Sequence, residues 1–179
     1  SLIPFYDTDE EKTVKNIDRA LAVLEKGEKK FKNNTKTLKL IADFYLHIYS
    51  FERAEKVFKR ILSLDENFST AHLGLALIYE KENSIKKAIK EYESYFASEP
   101  MIEDILISYL ALLAKNNEIM KAIEVGKAYL EENPESYTIN RRVGFLLMAE
   151  QQTGNSISYL EKAFELNPED YDLALYLAE

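Results

Sequence analysis

The chain has 179 residues, a net charge of −8, two histidines and no cysteine, which excludes a disulfide framework, a thiolate metal site and a His-rich metal cluster. Negative charge opposes a phosphate backbone, so no nucleic-acid partner is expected. No apolar run approaches the roughly 18 residues of a membrane-crossing helix, so no membrane insertion is expected either. The chain opens on Ser1 and not on Met, so a missing secretory leader leaves the compartment open, with the cytoplasm favoured.

Few glycines and prolines beside abundant Leu, Ala, Glu and Lys favour helices. In chain order, Thr8-Asp9-Glu10-Glu11 fits a capping box, and Val14, Ile17, Leu21 and Leu24 share one face of the helix that should follow. Residues 9–32 read as a capping helix, or the second half of a degenerate unit, within an N-terminal extension spanning 1–34. From Lys12 to Lys39 nine basic residues stand against three acids.

A period follows. Pro100, Pro134 and Pro168 are 34 residues apart, as are Ala54, Ala88 and Ala122, continued by Ser156. Ala42, Ala76 and Gly144 fall on the same grid with Leu110 between them, Tyr45 matches Tyr79, and Phe58 matches Tyr92. The grid divides the chain into units 35–68, 69–102, 103–136 and 137–170, each reading as two amphipathic helices joined by a short polar turn. In the second unit AHLGLALIYEK breaks at Asn83-Ser84, IKKAIKEYESYF resumes a helix, and Pro100 punctuates the step onward. In the fourth unit the Gly154-Asn155 turn falls about three residues late, which predicts a longer first helix there. Residues 171–179 read as the first half-helix of a further unit or a terminal cap, so a native chain that continues, or a trimmed end, is expected. Six acids stand against Lys162 between Glu161 and Glu179. With the basic front end, this allows head-to-tail self-association.

These units resemble tetratricopeptide repeats, whose pattern is W-x₂-L-G-x₂-Y…A-x₃-F…P over about 34 residues. The second unit carries it best, with Leu75-Ala76, Tyr79, Ala88, Tyr92 and Pro100. The others depart in places: Glu66 replaces the first proline, Leu110 is bulky, Gly126 stands for an aromatic, and no unit has the opening Trp. The resemblance implies an all-α, right-handed α-solenoid of helix-turn-helix units whose first helices line a concave groove. The groove residues would then be Lys36, Lys39, Leu40, Asp43 and His47, then Leu73, Gly74, Leu77 and Lys81. They continue with Asp104, Ile107, Ser108, Ala111 and Lys115, then Arg141, Arg142, Phe145 and Met148. Two alternatives compete: Leu40, Leu73 and Ile107 belong to the packed core, or the SLIPFY segment at the front fills the groove.

Some members of the family grip a chaperone's C-terminal tail with a carboxylate clamp. Lys39 fits that clamp, but Asp43 stands where an Asn is needed, and Gly74, Asp104 and Ser108 occupy the remaining places. An Asp there would repel a carboxylate, so a chaperone tail is not the expected partner.

No phosphate loop, H-E-x-x-H or nucleophile elbow is present. Glu103-Asp104 and Glu169-Asp170 read as solvated caps, and His47 and His72 as structural or rim residues. No catalysis, cofactor or metal is expected. The reading is a non-catalytic scaffold holding a partner's peptide or helix in the groove; the alternative is a targeting or regulatory module of a larger enzyme.

Overall fold

The computed structural model describes residues 7–178, with side chains from Arg19 onward. Among the described residues there are ten helices and no strand: α1 (Asp7–Lys30), α2 (Thr35–His47), α3 (Phe51–Leu64), α4 (Ser69–Lys81), α5 (Ile85–Phe96), α6 (Glu103–Lys115), α7 (Ile119–Glu132), α8 (Tyr137–Ala149), α9 (Thr153–Leu166) and α10 (Tyr171–Ala178). Helices α2, α4, α6, α8 and α10 begin 34 residues apart, and so do α3, α5, α7 and α9. The chain forms two compact units that divide between Ile78 and Tyr79.

Two expectations at the front meet different fates. Helix α1 begins at Asp7, two residues before the start that a Thr8 cap implied, so Thr8 lies inside the helix. The side chains of that capping box, and the SLIPFY segment, lie outside the described residues.

Every first helix from α2 to α8 ends in the same way. Tyr49, Asn83, Asn117 and Gln151 adopt left-handed φ values of 58, 56, 64 and 58°. The amide after each reaches back to the carbonyl of Tyr45, Tyr79, Leu113 or Leu147, at 2.8 to 2.9 Å, while the left-handed residue's own amide bonds three residues back. This is a Schellman-type closure, which occupies carbonyls that the helix end would leave without donors. It also corrects the fourth unit. The turn falls at Gln151, on the grid, and Gly154-Asn155 lies inside the first turn of α9, so α8 is no longer than α2. A non-glycine left-handed residue closed the turn, and the glycine was a misleading marker.

In the first unit, Leu38, Ile41, Ala42 and Tyr45 of α2 bury against α3, whose Ala54, Val57, Phe58 and Ile61 recur at helical spacing. Phe58 lies over Gly74 so closely that a Cβ there would overlap the ring. In the second unit, Ala88, Ile89 and Tyr92 of α5, Leu106, Tyr109 and Leu110 of α6, and Ala122 and Ile123 of α7 are buried. Gly126, standing where the pattern has an aromatic, faces Val143, whose Cγ2 would lie 2.5 Å from an added Cβ. Asn140, in place of the opening Trp, is buried and satisfied: its Nδ2 donates to the carbonyls of Pro134 and Ser136 at 2.9 and 2.8 Å. That ties the proline step to the start of α8.

Candidate functional site

The first helices bury one stripe each and leave the rest to solvent. On α2 the exposed side carries Lys36, Leu40 and His47, with Lys39 and Asp43 half-exposed. Lys39 Nζ donates to Asp43 Oδ2 at 2.6 Å, one helical turn away, so both charges are already satisfied. Leu40 is 68% exposed and Phe44 39% exposed, although neither is polar. On α4, Leu73 is half-buried, Gly74 lies beneath Phe58, and Leu77 is 41% exposed. Leu40 is therefore not a core residue, and Leu73 and Ile107 belong only partly to the packing.

In the second unit Lys81, Asp104, Ala111 and Lys115 are exposed, and Ile107 and Ser108 half-buried. Lys115 Nζ donates to Asn83 Oδ1 at 2.7 Å. Helix α6 contacts α8, so first helices of successive pairs adjoin here. On α8, Arg141, Arg142, Phe145 and Met148 are all half-buried. Arg141, Arg142 and Phe145 line a hollow of about 390 Å³ with Tyr137, Thr138 and Leu146.

The two arginines differ. Arg141 Nε donates to Asp170 Oδ2 at 2.7 Å, and its guanidinium lies 4.9 Å from the Phe145 ring centroid. The Tyr137 hydroxyl donates to the same Asp170 oxygen at 2.6 Å, while Asp170 Oδ1 accepts from Leu173 N and caps α10. Asp170 is thus a cap, as expected, but not a solvated one: its side chain is 10% exposed. The Tyr137 hydrogen bond, then Arg141 and the Leu173 amide, hold its carboxyl below the usual range against the opposing effect of burial. Arg142 has no ion pair, and its Nε is enclosed without an acceptor. Burial first, and then the neighbouring Arg141, hold it below the usual arginine range.

The expected groove residues therefore fall in two sets, one on α2 and α4 within the first unit and one on α6 and α8 within the second. Sequence reasoning missed Phe44 and three lining residues of the hollow. Tyr137 and Thr138 could have been found, because each lies four residues before Arg141 or Arg142 on one helix face. Asp170 could not, since it meets Arg141 across 29 residues of chain.

Of the histidines, His47 is exposed and the His72 ring lies 3.1 Å from the Glu66 carbonyl oxygen. Among the described residues no cluster of three or more metal-ligating side chains occurs, and no helix is long and apolar enough to cross a membrane.

Residues 142–170, which hold the second part of α8, α9 and the step to α10, match the family model of the tetratricopeptide repeat. No curated protein matches the chain by sequence. Solved structures share the fold. MamA is 20% identical with a TM-score of 0.74, over 95% of this chain and 99% of that one. YrrB, described as a TPR protein with an unusual peptide-binding site, is 19% identical with a TM-score of 0.72, over 84% and 77%. PilF of Pseudomonas aeruginosa is 22% identical with a TM-score of 0.60, over 80% and 66%. At these identities the likeness establishes the fold, that of an all-α helical-repeat solenoid.

Proposed function

We propose, from the premise that this chain is a tetratricopeptide-repeat protein, that it is a non-catalytic scaffold which holds a peptide or helix of a partner protein against its first helices. The repeat units would be 35–68, 69–102, 103–136 and 137–170, followed by a half-unit. The observation that carries the reading is the exposure of large apolar side chains on that side: Leu40, Phe44 and Leu77 are 68, 39 and 41% exposed. Folding leaves these groups in water, and a partner that covers them recovers roughly 1.5–3 kcal/mol for each one fully buried.

Around them the polar groups are already paired or rim-placed, as Lys39 with Asp43 and Lys115 with Asn83. Such a surface suits an amphipathic segment with an apolar centre. YrrB, of the same fold, is described as binding a peptide, which is the same class of ligand. Association itself costs an estimated 4–15 kcal/mol, so an affinity near micromolar is expected.

Photo-cross-linking tests this. A benzophenone side chain placed at Leu77 or Ala111, on the exposed side of first helices, should capture the same partner band. The same group at Lys90 or Glu161, exposed on second helices, should not. Capture only from Lys90 or Glu161 would place the partner elsewhere and end the reading.

A further inference from the structure

We propose that the hollow on α8 is an anion subsite: Arg142 receives a carboxylate side chain of the partner peptide, and Tyr137, Phe145 and Leu146 receive an apolar side chain beside it. This rests on the scaffold reading above and names the chemistry of one part of the bound segment.

The argument begins with the difference between two adjacent cations. Arg141 is committed: Asp170 takes its Nε at 2.7 Å, and its guanidinium lies over Phe145. That group holds α8 to the start of α10. Arg142 has no such role. It is half-buried, its Nε is enclosed without an acceptor, and the charge closest to it in sequence is the like charge of Arg141. A guanidinium carries five donors and no acceptor, so taking it partly out of water with no anion is unfavourable. If the position served only packing, an uncharged stem of similar length would serve better. The cost is offset once a carboxylate enters the hollow and accepts from the guanidinium.

The size and lining of the hollow select the class of anion. Only one of the two guanidiniums is free, which matches a single negative charge and not a polyanion. The net charge of −8 opposes polyanions further. Tyr137, Phe145 and Leu146 line the same hollow of about 390 Å³, so an apolar side chain next to the carboxylate finds contact there. A glutamate or aspartate followed by a large apolar residue meets both demands. The subsite differs from the clamp expected at Lys39 and Asp43, where the cation is already neutralised.

The experiment uses the full chain, isotopically labelled, with N-acetyl-Glu-Phe-amide as probe, its Gln counterpart as control, and inorganic phosphate as a third arm. Backbone amide shifts report the site and the affinity. The acidic probe should move the amides of residues 137–148 saturably, and the Gln probe should bind about tenfold more weakly or worse. Arg142→Met should erase the preference for Glu over Gln, while the other amides keep their positions and the melting temperature is unchanged or higher. Arg142→Lys should keep a reduced preference, because a point charge replaces a planar fork.

Equal binding of the two peptides, no saturable shift with either at tens of millimolar, or a preference that survives Arg142→Met overturns the proposal. Phosphate that saturates as tightly as the acidic peptide replaces the peptide carboxylate with a small inorganic anion. The cross-linking experiment reads different residues. Capture at Leu77 and Ala111 without these shifts leaves the scaffold and removes the subsite. Shifts without capture there leave a small-molecule site and remove the scaffold.

Discussion

In the first unit a large residue on a second helix lies over a glycine: Phe58 of α3 covers Gly74 of α4. In the second unit the sizes are reversed. The position 68 residues after Phe58 is Gly126, and Val143 of α8 fills the space that its missing side chain leaves. Both arrangements are closed, since Phe58 and Val143 are each fully buried. What repeats is the volume shared by two facing helices, not the residue at either position. Interiors are packed to nearly crystalline density, so a void on one side is filled from the other. A repeat that looks degenerate at one position, as the third does at Gly126, is then intact as a pair.

Phe58→Ala should break the first arrangement most severely. Removing a fully buried ring with only Gly74 beneath it should cost about 4 kcal/mol, read from chemical denaturation. A loss below about 1 kcal/mol would mean that neighbours collapse into the space, and that the pair is not the packing unit.

Gly126→Ala tests the reversed arrangement, with an expected loss of about 2 kcal/mol because the new Cβ meets Val143. Val143→Ala in the same chain should recover part of that loss, so the double mutant is more stable than the two single losses predict. Simple additivity would show that the two positions are independent.

Asp170→Asn should cost about 2 kcal/mol near neutral pH, because the carboxylate accepts from Tyr137, Arg141 and the α10 amide together. The sign with pH follows from its depressed carboxyl pKa. The contribution is complete above the ordinary Asp value of about 4 and is lost as pH falls through the lower folded value. Acid melts of wild type and mutant should therefore converge near pH 2 to 3, and a constant gap down to that range would show that the charge is not what matters.

Tyr49→Asn should have the smallest effect, and a favourable one. Tyr49 is 79% exposed and holds a left-handed conformation that Asn adopts more easily, as Asn83 and Asn117 do at the same point of later helices. A gain of about 0.5–1 kcal/mol is expected. A loss would indicate that the edge-on contact of Tyr49 with Phe51, at 6.0 Å, outweighs the backbone strain.

Much of this molecule was legible without coordinates. The 34-residue spacing, the helical period within each segment and the polar breaks were enough to place the helices and the all-α repeat class. These are local signals, set by which face of a helix is apolar and by where a helix can end. The exposed sides of the first helices followed from the same period, and Leu40 and Leu77 do stand in solvent.

Other features depended on partners far along the chain. Gln151 and not Gly154 closes α8, because the turn is fixed by amides reaching back to Leu147 and Met148, and glycine is only one way to meet that geometry. Gly126 reads as a defect until Val143, 17 residues on, is seen to fill it. Adjacent in sequence and identical in type, Arg141 and Arg142 are told apart only by Asp170, 29 residues from the first, which takes one charge and leaves the other without an anion. Sequence determined the elements because helix formation and termination act within a few residues. Tertiary structure decided the pairings, because packing volume and charge are settled between side chains that meet only after the helices have folded back on one another.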